Sequence, residues 1–216
     1  MFNCFMPWYN DDAFFRQKEL NFCLLRNDLN KMIDRIYLFP ESIKDNIPKV
    51  SEKVKVINLN RRVTYQDMVY RINHTMDSYR CYNIIMNTDI YFNETLSLVR
   101  TIDMTNICLA LTRWEANPDH GEPYMYMTYE SQDCWIFKGY INMNVQCGFN
   151  LGLAGCEGRF NFELEQAGYK VYNPSLDIKI LHHHMSGKRN WSEDSRLQGD
   201  SINPSIISIK DMENGY

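Results

Sequence analysis

The stretch Asn83-Ile-Ile-Met-Asn-Thr-Asp-Ile-Tyr-Phe92 decides the predicted fold, because a short apolar run breaks abruptly into Asn87-Thr88-Asp89. Such a run, bounded by polar residues, is typical of a strand buried on both faces of a parallel sheet. In open α/β sheets, ligands bind outside the carboxyl ends of the strands. Asp89 is therefore expected at the rim of a pocket, where a carboxylate suits a divalent cation and, through it, a phosphate. The alternative at this point is that Asn87 to Asp89 only turn the chain.

Strand and helix patterns alternate on the amino-terminal side of this stretch. Apolar segments predict strands over 2–9, 33–39 and 54–59. A helix is expected after Asp11 and Asp12, with Phe15, Phe22 and Leu25 as its apolar stripe. A second helix is expected to open at Thr64 in a capping-box pattern with Asp67, and to carry Met68, Ile72 and Met76 on one face.

The pattern continues more loosely on the carboxyl-terminal side. It predicts a helix over 94–100, a strand over 107–113, a loop over 116–131, a strand over 134–137, a helix over 157–167 and a last strand over 178–184. Strands that alternate with helices at this spacing indicate βαβ units. The sequence therefore predicts an α/β fold whose mostly parallel central sheet is flanked by helices.

Length, charge and cysteine usage narrow the class of protein. A chain of 216 residues is expected to form one domain, and a net charge of −4 without a long basic run disfavours a nucleic-acid partner. Seven cysteines, an odd number with no CxxC pair, fit a reduced, cytoplasmic protein better than a disulfide scaffold. No apolar stretch reaches the roughly 18 residues of a membrane span, and the start does not resemble a signal peptide.

Asp89 and the histidines of the last strand form the first candidate site. A Mg²⁺ or Mn²⁺ ion bound to a nucleotide takes one or two carboxylates, waters and phosphate oxygens, and Mn²⁺ also accepts imidazole. His182 and His184 are two residues apart on the predicted strand, so both face the same way. We expect at least one of them to bind the ion with Asp89. The alternative is a surface cluster of histidines.

Three further groups have residue types that suit catalysis or anion binding. Asp133 precedes a buried strand and Glu157 begins a helix, and either carboxylate suits hydroxyl recognition or base catalysis. Arg62 precedes a helix start, where guanidinium and N–H donors together make an anion site. The alternatives are a solvated strand edge, a carboxylate that only complements the helix dipole, and a solvated basic loop.

The order and spacing of five segments resemble nucleotide-sugar glycosyltransferases of the GT-A fold. The segments are NTDIYF (87–92), ALTRWE (110–115), SQDCWIFKG (131–139), GCEGRFNFEL (155–164) and NPSLDIKILHHH (173–184). The resemblance covers the chain from about Arg62 to Arg189. It is particularly close to the amino-terminal glycosyltransferase domains of large multidomain proteins of chlorella viruses that help build the capsid glycan.

The resemblance implies a role for several positions. Asn87-Thr88-Asp89 takes the place of the family's Asp-x-Asp, with Asp89 as the metal ligand and Asn87 as a departure that places the metal requirement in question. His182 or His184 matches the family's carboxyl-terminal histidine ligand. The nucleotide-sugar-binding residues would be Phe5, Arg62, Tyr65, Asn87, Thr88, Asp89 and Trp135. Asp133 and Glu157 would be the catalytic residues.

The resemblance also implies an activity, with a nucleotide-binding part at about 1–92 and an acceptor-side part at about 93–216. The expected reaction moves a hexosyl or deoxyhexosyl group from a UDP-sugar donor, with Mn²⁺ or Mg²⁺, onto a glycan or glycoprotein acceptor such as a viral capsid glycan. The expected place is the cytoplasm, that of the host if the protein is viral, with further catalytic domains on the same polypeptide. The alternatives are a non-catalytic nucleotide-sugar or glycan-binding module, which the missing acid at Asn87 favours, and a nucleotidyltransferase, which the lack of a Gly-rich, Lys-containing phosphate loop disfavours.

Overall fold

The computed structural model describes residues 1–116, 121–128, 130–183, 186 and 193–215. Its strands are β1 (Phe2–Trp8), β2 (Ile33–Pro40), β3 (Val54–Val56), β4 (Tyr82–Met86), β5 (Ile90–Phe92), β6 (Ile107–Leu111), β7 (Arg113–Glu115), β8 (Tyr124–Met125), β9 (Cys134–Lys138), β10 (Lys170–Tyr172) and β11 (Ile180–His182). Its helices are α1 (Phe14–Leu29), α2 (Tyr65–Asn73), α3 (Cys156–Gln166) and α4 (Ile209–Glu213), with short 3₁₀ helices at Ser78–Arg80, Glu94–Thr101 and Glu193–Ser195.

A seven-stranded sheet forms the centre, in the order β10-β6-β9-β4-β1-β2-β3. Its neighbouring strands are parallel, except that β9 runs antiparallel to both β4 and β6. The predicted α/β fold with a mostly parallel sheet is therefore confirmed. The strand β4, which leads to Asp89, is the middle strand of this sheet.

Alternating side chains of the strands supply two cores, one on each face of the sheet. On β1, Phe2, Cys4, Met6 and Trp8 belong to one apolar cluster, whereas Phe5 belongs to the other. This alternation follows from the two-residue period of a strand. Helix α1 contributes to the first cluster, and α2 and α3 contribute to the second. Burial on both faces explains why β4 reads as a continuous apolar run.

A smaller sheet has the strand order β5-β11-β7-β8. Its strand β5 follows the carboxyl end of β4 in the sequence. Strand β11 pairs antiparallel with β5, and His182 is in register with Ile90. The main-chain N–H of His183 donates to the carbonyl oxygen of Asp89 at 3.0 Å. This pairing brings the end of the last strand beside the Asn-Thr-Asp break, although the two are about ninety residues apart in sequence.

The predicted strand over 107–113 and loop over 116–131 are wrong in detail. The first strand breaks at Thr112 into β6, which lies in the central sheet, and β7, which lies in the smaller one. At the break, the main-chain N–H of Thr112 donates to the side-chain oxygen of Ser175 at 2.9 Å. Part of the predicted loop forms β8, which pairs with β7.

The buried face of α1 also differs from its predicted apolar stripe. Phe15 is 70% exposed and Phe22 is 38% exposed, whereas Arg16 and Glu19 are buried. The reason is that the covered face of this helix carries an ion pair between Arg16 and Glu19, which periodicity of apolar residues does not reveal. Helix α2 begins at the predicted capping box of Thr64 and Asp67. It ends at Asn73, so Met76 lies beyond it and is exposed.

All seven cysteines are buried free thiols, as expected without a disulfide framework. Within the part of the chain that the structure describes, no helix combines the length and the apolar character needed to cross a membrane.

Candidate active site

A polar cavity of about 1070 Å³ lies beyond the carboxyl end of the central strand β4. Its walls come from the ends of β1 and β4, from β7 and β11, from the start of α3 and from a carboxyl-terminal segment that includes Arg196, Ser201 and Asn203. Asn87, Thr88 and Asp89 all line it. The Asn-Thr-Asp break therefore forms part of a pocket at the position that the strand pattern predicts.

Asp89 is held by two basic side chains from opposite ends of the chain. Its Oδ2 atom lies 2.6 Å from Arg16 Nη2 and 3.3 Å from His182 Nε2. Burial alone would raise the pKa of the Asp89 carboxyl, but the charges and hydrogen bonds of His182 and Arg16 outweigh it and hold that pKa well below its usual range. Asp89 is therefore a fixed negative charge at the cavity wall.

His182 connects Asp89 to a second carboxylate, Glu115. The His182 ring is almost fully buried, with Nδ1 2.8 Å from Glu115 Oε2. Burial alone would lower the pKa of His182. The effects of Asp89 and Glu115 are larger and raise that pKa from 6.5 to about 9. Burial likewise raises the pKa of Glu115, whereas His182 and Arg113 lower it to about 2. Three cavity-lining ionisable groups are thus connected in a row.

Asp133 lies in the same wall and is engaged through both carboxylate oxygens. Asn87 Nδ2 donates to Oδ1 at 2.8 Å, and Arg113 Nη1 donates to Oδ2 at 3.1 Å. The side chain is buried, with 5% of the residue exposed. Asp133 therefore fixes Asn87 and Arg113 in the wall, and its remaining lone pairs suit holding a hydroxyl group.

Glu157 is a cavity carboxylate whose pKa is raised strongly. Burial raises the pKa of Glu157 to about 7, and the charge of Asp133 adds to this effect. Its own backbone N–H and the Cys156 thiol lower the pKa only partly. Among the described residues, no basic side chain forms an ion pair with Glu157. A carboxylate with this pKa, at the helix start that lines the cavity, suits general base catalysis near neutral pH.

Arg62 and Thr88, which are predicted to bind the ligand, also line the cavity. Arg62 is partly exposed; Nη2 donates to the carbonyl oxygen of Leu151 at 2.7 Å, and Nε lies 3.6 Å from Glu41 Oε1. Gly152 follows with φ of +72°, and a Cβ atom there would lie 2.8 Å from Arg62 Nη2. Glycine at this position therefore leaves space for the guanidinium group.

Phe5, Tyr65 and Trp135 do not line the cavity, and their predicted contact with a nucleotide sugar does not fit their placement. All three have no exposed surface and belong to the apolar cluster on the α2 and α3 side of the sheet. Trp135 Nε1 donates to Asn161 Oδ1 at 2.8 Å, which satisfies its polar atom inside the core. Aromatic rings that are closed in on all sides stabilise the fold rather than contact a ligand.

The structure adds three residues that the sequence does not single out: Arg16, Arg113 and Glu115. Each lines the cavity and pairs with a predicted site residue. Arg113 and Glu115 lie within the ALTRWE segment, so that segment was the available signal. Arg16 had none, because a lone arginine inside a helix is ordinarily solvated. His184, predicted as an alternative metal ligand, lies outside the described residues.

The donor set beside Asp89 fits a divalent cation of the nucleotide-binding kind. A carboxylate oxygen and an imidazole nitrogen face each other, and the other ring nitrogen is bound by a carboxylate, an arrangement common for metal-binding histidines. Within the described residues no group of three or more His, Cys, Asp or Glu side chains is arranged to hold a metal. Two protein ligands, completed by phosphate and water, are usual for Mg²⁺ at such sites.

Comparison with known proteins shows the fold class. No protein-family model and no curated protein matches the sequence. Among solved structures, S. aureus TarS residues 1–349 in complex with UDP-GlcNAc is 16% identical, with a TM-score of 0.55 over 87% of this chain and 60% of that chain. The mannosyltransferase PcManGT from Pyrobaculum calidifontis, in complex with GDP-Man and Mn²⁺, is 12% identical, with a TM-score of 0.52 over 88% of this chain and 58% of that chain.

These similarities establish a GT-A, Rossmann-like α/β fold for the chain. The chain spans about three fifths of the length of both proteins. At this level of identity the comparison concerns the fold, and the chemistry has to be argued from the cavity itself.

Proposed function

We propose that the protein is a glycosyltransferase that moves a sugar from a UDP-linked donor to a hydroxyl group of a glycan or glycoprotein, with Mn²⁺ or Mg²⁺. The main support is the Asp89–His182 pair, which stands at the carboxyl end of the central strand in a cavity that also contains Glu157. Two proteins with the same fold bind UDP-GlcNAc, or GDP-Man with Mn²⁺, which agrees with a nucleoside diphosphate sugar as the donor.

In this proposal Asp89 and His182 hold the cation. When bound, the ion supplies positive charge that offsets the negative charge developing on the diphosphate. Arg62 lines the same cavity, and its partly exposed guanidinium group is suited to hydrogen bonding with phosphate oxygens. Preorganised donors of this kind stabilise a leaving diphosphate without the reorganisation that water would need.

Glu157 is the proposed general base. Its carboxylate takes the proton of the acceptor hydroxyl while the acceptor oxygen bonds to the anomeric carbon. The bond from that carbon to the diphosphate breaks, and its electron pair leaves with the UDP. Direct attack of this kind inverts the anomeric configuration, so the product anomer, measured by NMR, tests the role of Glu157.

The proposal is tested by nucleotide release from a panel of UDP-sugars in the presence of Mn²⁺. We expect release that EDTA abolishes and that Asp89→Asn lowers at least a hundredfold, whereas Asp103→Asn, the same change at an exposed position, leaves it unchanged. Circular dichroism checks that the variants are folded. Donor binding by calorimetry without turnover over a broad acceptor screen would instead identify a binding module, the function that Asn87 in place of an acid favours.

A further inference from the structure

Glu115 lies next to His182, on the neighbouring strand of the four-stranded sheet. We propose that Glu115 is a positioning residue that orients the His182 ring and fixes its proton on Nδ1, so that Nε2 is free to bind the cation beside Asp89. This inference rests on the proposed function, because it assigns a part of the cation site to a residue that does not itself touch the ion.

Strand pairing places the two side chains side by side. Strands β7 and β11 are parallel, and His182 is in register with Glu115. The main-chain N–H of Ala116 donates to the carbonyl oxygen of His182 at 3.0 Å, which fixes this register at the next residue. The backbone register thus brings the two side chains together, and His182 Nδ1 lies 2.8 Å from Glu115 Oε2.

Hydrogen-bond chemistry then decides which ring nitrogen is available. An ionised carboxylate has only acceptors, so the Nδ1 atom bound to Glu115 must carry the proton. The other ring nitrogen, Nε2, faces Asp89, at 3.3 Å from Oδ2. Because Asp89 is an ionised carboxylate as well, Nε2 also carries a proton while no cation is bound. A cation that binds here displaces the Nε2 proton and takes that lone pair, and the proton on Nδ1 stays with Glu115. The tautomer that Glu115 selects is therefore the one that an ion beside Asp89 needs.

Glu115 is itself held in place through its second oxygen. Arg113 Nε donates to Glu115 Oε1 at 2.7 Å, and Arg113 Nη1 binds both Asp133 and Ser131. The guanidinium group also lies 4.2 Å from the centre of the Tyr126 ring. Both Arg113 and Glu115 are largely buried, with 14% and 17% of their side chains exposed. A carboxylate that Arg113 anchors through Oε1 imposes its position on the histidine at Oε2 instead of adapting to it.

Carboxylates that orient metal-binding histidines typically contribute a factor of about 10 to 100 in metal affinity. We therefore expect Glu115→Gln and Glu115→Ala to weaken Mn²⁺ binding in the presence of saturating UDP by about 10- to 100-fold. The binding is measured directly from the EPR signal of free Mn²⁺. Glu130→Gln is the matched control, because Glu130 lines the same cavity and the substitution removes the same charge. The carboxylate that is hydrogen-bonded to His182 is that of Glu115.

A second readout separates positioning from a general loss of structure. In wild-type protein with Mn²⁺ and UDP, pulsed EPR should show modulation from a directly bound imidazole nitrogen, and His182→Gln should remove it. Glu115→Gln should weaken or alter this modulation, while the thermal midpoint in EDTA shows that the protein is folded. A merely structural role would lower the thermal midpoint and leave the nitrogen modulation of the folded fraction unchanged.

The outcomes distinguish this inference from the proposed function. If wild-type protein does not bind Mn²⁺ with UDP, the cation site of the proposed function is wrong and the inference with it. If wild-type protein binds Mn²⁺ and Asp89→Asn does not, but Glu115→Gln binds as tightly as Glu130→Gln and keeps the same nitrogen modulation, the proposed function stands and the positioning role of Glu115 is refuted.

Discussion

Replacing Glu157 by glutamine should change activity and stability in opposite directions. The carboxyl has a pKa of about 7 in the folded protein, against 4.5 for an unperturbed side chain, chiefly because burial penalises its charge. Glutamine mimics the neutral acid and cannot accept the proton of an acceptor hydroxyl. If Glu157 is the general base, the variant should lose about 10²- to 10⁴-fold in kcat/KM.

The stability change follows from the same pKa. A carboxyl whose pKa is raised on folding binds more protons in the folded state between pH 4.5 and 7, so its contribution to stability falls as pH rises through this window. One pKa unit corresponds to about 1.4 kcal/mol, so the ionised carboxylate costs at most about 3.5 kcal/mol above pH 7. Relative to wild type, Glu157→Gln should therefore be equally stable near pH 4.5 and up to about 3.5 kcal/mol more stable at pH 8.

Urea unfolding across pH 4.5 to 8, together with a pH profile of kcat/KM, measures both effects. Wild-type activity should rise with pH with a midpoint near 7. Glu52→Gln is the control, because Glu52 is exposed and lies outside the cavity, so the same substitution there should shift stability little at any pH. A Glu157→Gln variant that keeps its activity within tenfold of wild type would refute the role as base, and a stability difference that does not vary with pH would refute the raised pKa.

Three further substitutions test individual parts of the structure. Trp135→Phe should lower the free energy of unfolding by about 1 to 3 kcal/mol, because Asn161 Oδ1 loses its buried donor, while KM for the donor stays unchanged; a raised KM with unchanged stability would contradict its placement in the core. Thr64→Ala should cost about 1 kcal/mol in urea unfolding through loss of the α2 cap, and an unchanged midpoint would show that the cap contributes nothing. Asp89→Asn should destabilise the metal-free protein by about 3 kcal/mol, because the buried Arg16 loses an ion partner; calorimetry that finds no change would mean that this pair is not formed.

The sequence by itself predicts the features that depend on local patterns. The apolar run before Asp89 reads as a buried strand because both faces of the central sheet are covered. The Thr64 and Asp67 spacing predicts the start of α2 because capping requires only residues three apart. The motif order also brings Asp89, Asp133, Glu157 and His182 into one predicted site, and all four line one cavity.

The tertiary structure alone decides which side chains meet across long stretches of sequence. Arg16 reaches Asp89 over 73 residues and Glu115 reaches His182 over 67, and each contact depends on strand register and helix position rather than on local pattern. The resemblance implies that Phe5, Tyr65 and Trp135 contact a ligand, whereas all three are enclosed in the core. Their apolar pattern does not distinguish a closed core from an open pocket. The physical reason is that a pattern reports the face of an element, whereas the partner on that face is set by how the whole chain packs.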